Sequence, residues 1–388
     1  MKAFERFDAI QGFSDEEIMM LEQVRRLADD VLLREAETNE ENGTFPFKSM
    51  AALQQLGMFG VCIPEEFGGT PITYKAYLNA VQMISEACSA SGIIFGTTMA
   101  LVHPLKMHGT EEQKARILPK IAEGAIAALA LTEPHAGSDA TDPKTTFTPD
   151  GDNIVVSGNK IFITSGDVAD FILVFGKWKS TDEHNGKLSA LIIDKGTPGF
   201  NVLGRERKMG MHASSTASLA FEDCKVAREQ LVGLPGDGLK IMLDTLNKSR
   251  PSVAAHALGI ARAAFKDAVS YANERAQGGK PIIRHQAIQF MLADYLAELI
   301  QTQSLMNYVG DLVDDGQNDI GAESSMIKIK ASDLAMRLTT DAVQVHGGSG
   351  YCKPQRVERL MRDAKITQIW EGTNQIQRGV IGRSLISS

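Results

Sequence analysis

Cysteine is scarce: Cys62, Cys88, Cys224 and Cys352 are the only four in 388 residues, and they form no CxxC pair. That scatter points away from a disulfide framework and toward reduced, partly buried thiols. The eight histidines show no metal-ligand spacing, so no metal site is expected. No run of ~20 apolar residues is present, which excludes a membrane-spanning helix. The first residues, MKAFERFDAIQGFSDEE, lack both the apolar run of a secretory signal and the Arg-rich, acid-poor character of a transit peptide. A cytoplasmic protein, of a prokaryote, is the expectation. Basic clusters are short, RERK at 205–208 being the tightest, and the net charge is −8. No nucleic-acid footprint is therefore expected. With 43% hydrophobic residues, 23% charged residues and no low-complexity tract, the chain is globular rather than disordered. Its length exceeds what one core normally supports, so two or three packed units are expected.

What is present falls into three stretches. In 1–124 the patterns are helical. SDEE at 14–17 reads as a capping box ahead of Ile18, Leu21, Val24, Leu27, Val31 and Leu32 at helical spacing. Further helices are predicted over 46–56, 74–90 and 91–107, with a Gly/Pro loop at 57–71, and TEEQ at 110–113 caps another that ends near Gly124. In 125–232 short segments rich in Val, Ile, Phe and Thr alternate with Gly, Asp, Asn or Pro turns, which predicts six to eight strands in a barrel or sandwich. In 233–388 the helical period returns. Pro251 is expected to kink or restart a helix over 239–276, and Gly278, Gly279 and Pro281 to end it. Helices over 284–315 and 322–346 and a short one after Gly372 complete an antiparallel bundle. The fold class expected is α+β: an all-α unit, a β unit and a four-helix bundle.

Three segments carry candidate chemistry. Glu371 lies between the ring of Trp370 and the flexible Gly372 in DAKITQIWEGTNQIQRG at 363–379. An acid beside an apolar ring loses solvation, its pKa rises, and it suits a general base; the alternative is a surface glutamate beginning a helix. ALTEPHAGSDA at 130–140 offers backbone amides around Gly137 and the hydroxyls of Thr132 and Ser138 to a polar ring edge or a phosphate. QVHGGSGY at 344–351 lets backbone approach a ligand closely. Ordinary turn chemistry explains either glycine loop as well. No GxGxxG follows a strand, so no Rossmann fingerprint is present.

In order and spacing, ALTEPHAGSD, KIFITSG, KMGMHASST, ERAQGGKP, QVHGGSGY and MRDAKITQIWEGTNQIQR resemble the motifs of the acyl-CoA dehydrogenase family across essentially the whole chain. The resemblance implies an FAD enzyme that oxidises an acyl-CoA thioester to its 2-enoyl-CoA. Glu371 would remove the α proton, the β hydrogen would pass as hydride to flavin N5, and the electrons would go to an electron-transfer flavoprotein. It further implies that the thioester carbonyl is held by the backbone amide at Glu371 and a ribityl hydroxyl. Leu131, Thr132, Gly137 and Ser138 resemble the loop at the flavin ring and pyrophosphate, and Phe162 and Thr164 the pair that covers the ring. Arg275 and Gln277, with Gln344, Gly347 and Gly348, resemble groups that a neighbouring subunit extends to the adenine dinucleotide; Thr373 and Gln375 resemble flavin contacts after the base. A homotetramer, as a dimer of dimers, is implied.

Substrate contacts implied are Ser138, Phe95, Thr98 and Leu246, with Arg250, Trp370 and Gly372 around the base. Gly92, Gly96, Thr97 and Thr98 would leave space or a polar floor for the acyl group and Phe95 would close it. A short, branched or cyclic acyl group is expected, although core packing explains the same residues. The family's alternative base position is occupied by Ser249, which leaves Glu371 unshared. Gly278 replaces a common Phe, His212 replaces a common Arg and is assigned no role, and His135 reads as a solvent-facing loop residue. Two rivals stay open: an oxidase using O2 on the same fold, and a non-catalytic flavoprotein that binds nucleic acid.

Overall fold

The computed structural model describes residues 2–9 and 12–386. Its first section contains helices α1 (Lys2–Asp8), α2 (Asp15–Leu27), α3 (Leu33–Asn42), α4 (Phe47–Gln55), α5 (Tyr74–Ala87), α6 (Ser89–His108) and α7 (Glu111–Ala122). Both capping boxes form: the Ser14 hydroxyl accepts from the Glu17 amide while the Ser14 amide donates to Glu17, and Thr110 and Gln113 do the same. Glu17 also accepts from the amide and hydroxyl of Thr73, the N-cap of α5, so one carboxylate ties two helix starts together. The predicted loop at 57–71 contains two short 3-10 turns.

Strands β1 (Ala127–Ala130), β2 (Thr146–Asp150), β3 (Asn153–Thr164), β4 (Phe171–Trp178), β5 (Leu188–Asp194), β6 (Phe200–Arg205), β7 (Thr216–Ala227) and β8 (Leu231–Val232) follow. They form one eight-stranded sheet in the order β6-β7-β3-β2-β4-β5-β8, with β1 beside β4. The β1–β4 and β2–β4 pairs are parallel and the others antiparallel. β4 and β5 are buried along nearly their whole length, as expected for central strands of Val, Ile, Leu and Phe.

The last section is helical: α8 (Gly238–Glu274), α9 (Gln286–Asp314), α10 (Gly321–His346), α11 (Gly348–Tyr351), α12 (Arg356–Ile366) and α13 (Asn374–Ser384). A minimal hairpin, β9 (Ala276–Gln277) and β10 (Lys280–Pro281), joins α8 to α9. Gly278 and Gly279 both have positive φ (60° and 77°), as a two-residue type I′ turn requires, and this explains glycine at 278.

The restart expected at Pro251 is corrected, because one continuous α8 runs through it. Proline removes one helix donor and frees carbonyls in the preceding turn. The Ser324 hydroxyl of α10 donates to the Asn247 carbonyl at 2.7 Å, and the Tyr74 hydroxyl of α5 donates to the Lys248 carbonyl. Neighbouring helices supply what Pro251 cannot.

Candidate active site

The turn preceding α13 reverses sharply. Glu371 has φ +54° and Gly372 φ +89°. Left-handed backbone costs a residue with a side chain roughly 1–2 kcal/mol, so its surroundings must hold the turn. Gln377 donates Nε2 to the carbonyls of Glu371 (2.9 Å) and Gly372 (3.0 Å), and is itself held by the Ser325 hydroxyl at 2.8 Å. Lys328 of α10 donates Nζ to the Gly372 carbonyl (2.9 Å) and to Asn374 Oδ1 (2.8 Å), and Arg250 of α8 donates Nε to the Glu371 carbonyl (3.3 Å).

Glu371 thereby meets α8, where the Ser249 hydroxyl donates to Oε2 at 2.7 Å. Burial raises the Glu371 pKa above the ordinary carboxylate range, although the Ser249 hydrogen bond and the charges of Arg250 and Lys328 oppose the rise. Lys328 is buried and is pushed down to about 8 by burial, against the attraction of Glu371. Two cations therefore face one carboxylate. The Glu371 amide has no acceptor among the described residues.

Trp370 is half-buried, its ring centroid 5.5 Å from that of His256 on α8. The His256 Nε2 lies 3.0 Å from the Ser89 carbonyl, and burial pushes the imidazole down to about 4, so it is neutral near pH 7. Trp370 Nε1 and His256 Nδ1 are buried without partners among the described residues. The Ser89 hydroxyl donates to Met211 Sδ at 3.0 Å, which connects this wall to the segment between β6 and β7.

The glycine loop after β1 lies against β3. Thr132 accepts at its carbonyl from the Ile161 amide (3.0 Å), and Lys160 donates Nζ to the Leu131 carbonyl (2.9 Å) and to Glu133 Oε1 (2.7 Å). Glu133 also receives the amides of Lys144 (2.7 Å) and Thr145 (3.2 Å). Burial pushes Lys160 down to about 8; it pushes Glu133 up, but Lys160 and these hydrogen bonds hold Glu133 below the ordinary range. Beside this strut Phe162 stands 58% exposed with φ +59°, Thr164 is half-buried, and Gly137 and Ser138 are exposed. A Cβ on Gly137 would meet nothing within 4 Å. An uncovered aromatic face beside an open loop of amides and hydroxyls fits a flat flavin ring and its phosphates.

The remaining predicted residues separate into groups. Thr373 accepts from the Ile376 amide at 3.3 Å as the N-cap of α13, and Gln375 is exposed. Arg275, Gln277, Gln344, Gly347 and Gly348 are exposed at one end of the bundle, where Tyr271 stacks on His346 at 4.2 Å. Along α8 this end is about seven turns, ~39 Å, from Ser249. Phe95 is fully buried against Phe59 and Tyr77, and the Thr98 hydroxyl accepts from the Ala127 amide at 3.3 Å. Leu246 is half-buried one turn before Arg250. Gly92 and Gly96 do not open space: a Cβ would lie 2.0 Å from Ser85 Oγ at Gly92 and 2.9 Å from Ser252 Oγ at Gly96, so both permit close helix packing. His212 holds Glu40 through its amide (2.8 Å) and ring (3.1 Å), and His135 lies 3.8 Å from Glu133.

Family models for the acyl-CoA dehydrogenase N-terminal, middle and C-terminal domains match residues 14–125, 128–224 and 236–386. An acyl-CoA dehydrogenase of Bacillus subtilis is 41% identical over 96% of this chain and 98% of its own. The chain belongs to the acyl-CoA dehydrogenase family. It is an FAD-dependent oxidoreductase, with the acyl-CoA dehydrogenase fold expected from its motifs. Butyryl-CoA dehydrogenase from Megasphaera elsdenii is similar at a TM-score of 0.93 and 37% identity, covering 97% of this chain and 99% of that one. A chain from the structure described as the electron transferring flavoprotein of Acidaminococcus fermentans also reaches 0.93, at 40% identity and the same coverage. A glutaryl-CoA dehydrogenase from Mycobacterium smegmatis, in complex with FADH2, has a TM-score of 0.90 at 25% identity, covering 97% of this chain and 95% of that one.

Reading the sequence missed Lys328, Asn374, Gln377 and the Glu133–Lys160 strut of this acyl-CoA dehydrogenase. Lys328 had a signal: it shares a helical stripe with the buried Ser324, Ala331 and Ala335, where a lysine is out of place. Helix α12 had one too, in Val357, Leu360 and Ala364.

Proposed function

We propose that this chain dehydrogenates an acyl-CoA thioester between its α and β carbons, with Glu371 as the base that takes the α proton. One observation carries the reading: a half-buried carboxylate of raised pKa, held in a left-handed turn, beside its own amide, which has no acceptor among the described residues. The raised pKa brings the base toward the pH at which it works. Ser249 keeps one carboxylate oxygen engaged and leaves the other for the substrate. The Glu371 amide is suited to bind the thioester carbonyl and to stabilise the enolate character that develops as the proton leaves. FAD, when bound, supplies the acceptor for the β hydrogen.

Leu131, Thr132, Gly137, Ser138, Phe162 and Thr164 would hold the flavin half, with Thr373 and Gln375 at its edge. Arg275 and Gln277 follow the far end of α8, and Gln344, Gly347 and Gly348 lie at the end of α10, too far away to serve the same flavin, and their exposure suits the FAD of a second copy. That sharing requires a dimer. An apolar groove of about 420 Å³ between α9, α10 and α13, lined by Leu305, Met326, Ile329 and Ile381, suits further packing into a dimer of dimers. We read the chain as three units, 1–124, 125–232 and 233–388, of which residues 1, 10, 11, 387 and 388 lie outside the described residues.

Trp370, Leu246, Arg250 and Gly372 would face the acyl thioester, with Ser138 across from them. The close approach of α6 to α5 and α8 leaves Phe95 and Thr98 packed, which favours a short, branched or cyclic acyl group. The electron acceptor is an electron-transfer flavoprotein. The free thiols, with Cys352 exposed, suit a cytoplasmic setting.

Anaerobic titration with straight, branched, cyclic and aromatic acyl-CoAs, following the visible flavin absorbance, tests cofactor, reaction and substrate together. Bleaching by a short or cyclic thioester is expected, and no bleaching by any thioester would sink the reading. Stoichiometric peroxide during aerobic turnover without a flavoprotein acceptor would replace dehydrogenase by oxidase.

A further inference from the structure

We propose that Lys328 is a positioning residue for the base: by clamping the Gly372 carbonyl and the Asn374 side chain, its ammonium holds the left-handed turn that presents the Glu371 carboxylate. This rests on the reading of Glu371 as base and adds a second element to it. Lys328 projects from a core-facing position of α10 and is fully buried, yet no carboxylate lies within 4 Å of it among the described residues. Its two acceptors at 2.9 and 2.8 Å flank Thr373, on the C-terminal side of Glu371. An uncharged donor could satisfy both acceptors, and an apolar side chain would fill the volume without desolvating an amine. Of the two anions that attract a charge at this place, Glu371 and Asp333, Glu371 is the stronger.

The surrounding groups leave that role to Lys328. From α8, Arg250 reaches the Glu371 carbonyl and Ser249 the carboxylate. From α10, Asp333 is already engaged by Arg378 of α13 at 3.1 Å, by Asn374 Nδ2 at 2.8 Å and by Gln368 at 2.7 Å. From α13, Gln377 is neutral and Asn374 bridges Lys328 to Asp333. Glu371 is thus the unneutralised charge on one side of the clamp, and Lys328 and Arg250 are the cations on the other. Lys328 acts twice, through the carbonyl that it holds in place and through the field that favours the ionised base.

The two actions separate in pH profiles of kcat for the flavin-loaded full chain, measured across about pH 5–9 with the best thioester of the titration. Lys328→Met should lower the alkaline plateau about tenfold and move the acid limb up by about one pH unit. Asn374→Ala, which removes one anchor but no charge, should lower the plateau about threefold and leave the limb in place. Dissociation constants for a non-reactive thioether analogue should stay within about twofold in both, since neither side chain is among the groups assigned to substrate. A Lys328→Met profile that keeps its plateau and limb while only the melting temperature falls would make Lys328 a packing element and overturn the proposal. If Lys328→Met does not retain flavin, Asn374→Ala decides: a lowered plateau supports the clamp, and an unchanged one overturns it. Wild-type protein that no thioester bleaches would remove the functional reading and this inference together. A bleaching wild type with an unshifted Lys328→Met removes the inference alone.

Discussion

The base turn and the flavin loop use the same two devices and use them differently. Each involves a non-glycine residue in left-handed backbone, Glu371 within the turn and Phe162 on β3 beside the loop, and each has a buried lysine that donates to a loop carbonyl. Lys160 has its own carboxylate, Glu133, at 2.7 Å, and Glu133 gathers two further backbone amides. Charge is closed within the strut, and what remains is shape. Lys328 has neutral acceptors only, so its charge is felt by Glu371. A buried ion pair contributes position with little net field, whereas a buried lone cation changes the proton affinity of its neighbour. On the proposed reading, the loop that would accept the cofactor is braced, and the turn that would exchange a proton is responsive.

The largest expected break in this comparison is Glu371→Gln. Turnover should fall on the order of 10²–10⁴-fold with FAD and acyl-CoA binding retained; near-normal turnover would falsify the assignment of the base. The same variant tests the raised pKa through stability. A carboxyl whose folded pKa lies above its unfolded value stabilises the fold while protonated, and that contribution is lost as pH rises through the folded pKa. Glu371→Gln should therefore melt above the wild type at alkaline pH and lose that advantage on acidification. Thermal melts at both ends of the range check the sign.

Next comes Lys160→Met, which leaves Glu133 buried with backbone donors but no cation. About 3–5 kcal/mol of stability should be lost, with flavin lost on gel filtration, while any protein that keeps flavin retains the wild-type acid limb. A shifted limb in that variant would abolish the contrast between the two lysines. Ser249→Ala should act in the opposite way, with little loss of stability. It removes a hydrogen bond to the charged carboxylate, so the acid limb should rise by about half a pH unit, read from the same kcat profiles. Smallest is Thr373→Ala, which removes the α13 N-cap and should cost about 1 kcal/mol in denaturant unfolding. A loss several times larger would mean that Thr373 does more than cap the helix.

Much of this architecture was legible beforehand, for local reasons. The capping boxes at Ser14 and Thr110 are complete within four residues, and both form. Short runs rich in Val, Ile, Phe and Thr between turn residues announced the sheet, and the end of the α8 pattern at Gly278 and Gly279 became a hairpin. The restart expected at Pro251 does not occur, because its rule is local while the remedy, Ser324 on another helix, is not. Gly92 and Gly96 misled similarly: a missing side chain reads as space until Ser85 and Ser252 are seen to fill it.

The candidate site divides along the same line. From sequence alone came the order of helices, strands and helices, the family, and Glu371 as the carboxylate to watch, since these rest on neighbouring residues and ordered motifs. Tertiary structure alone decided that Glu371 is left-handed, that Ser249, Arg250 and Lys328 converge on it, and that Arg275 stands about seven helical turns away along α8. The reason is physical: propensities and caps act over a few residues, whereas a carboxylate's proton affinity depends on charges and burial contributed by helices more than a hundred and by others about forty residues away.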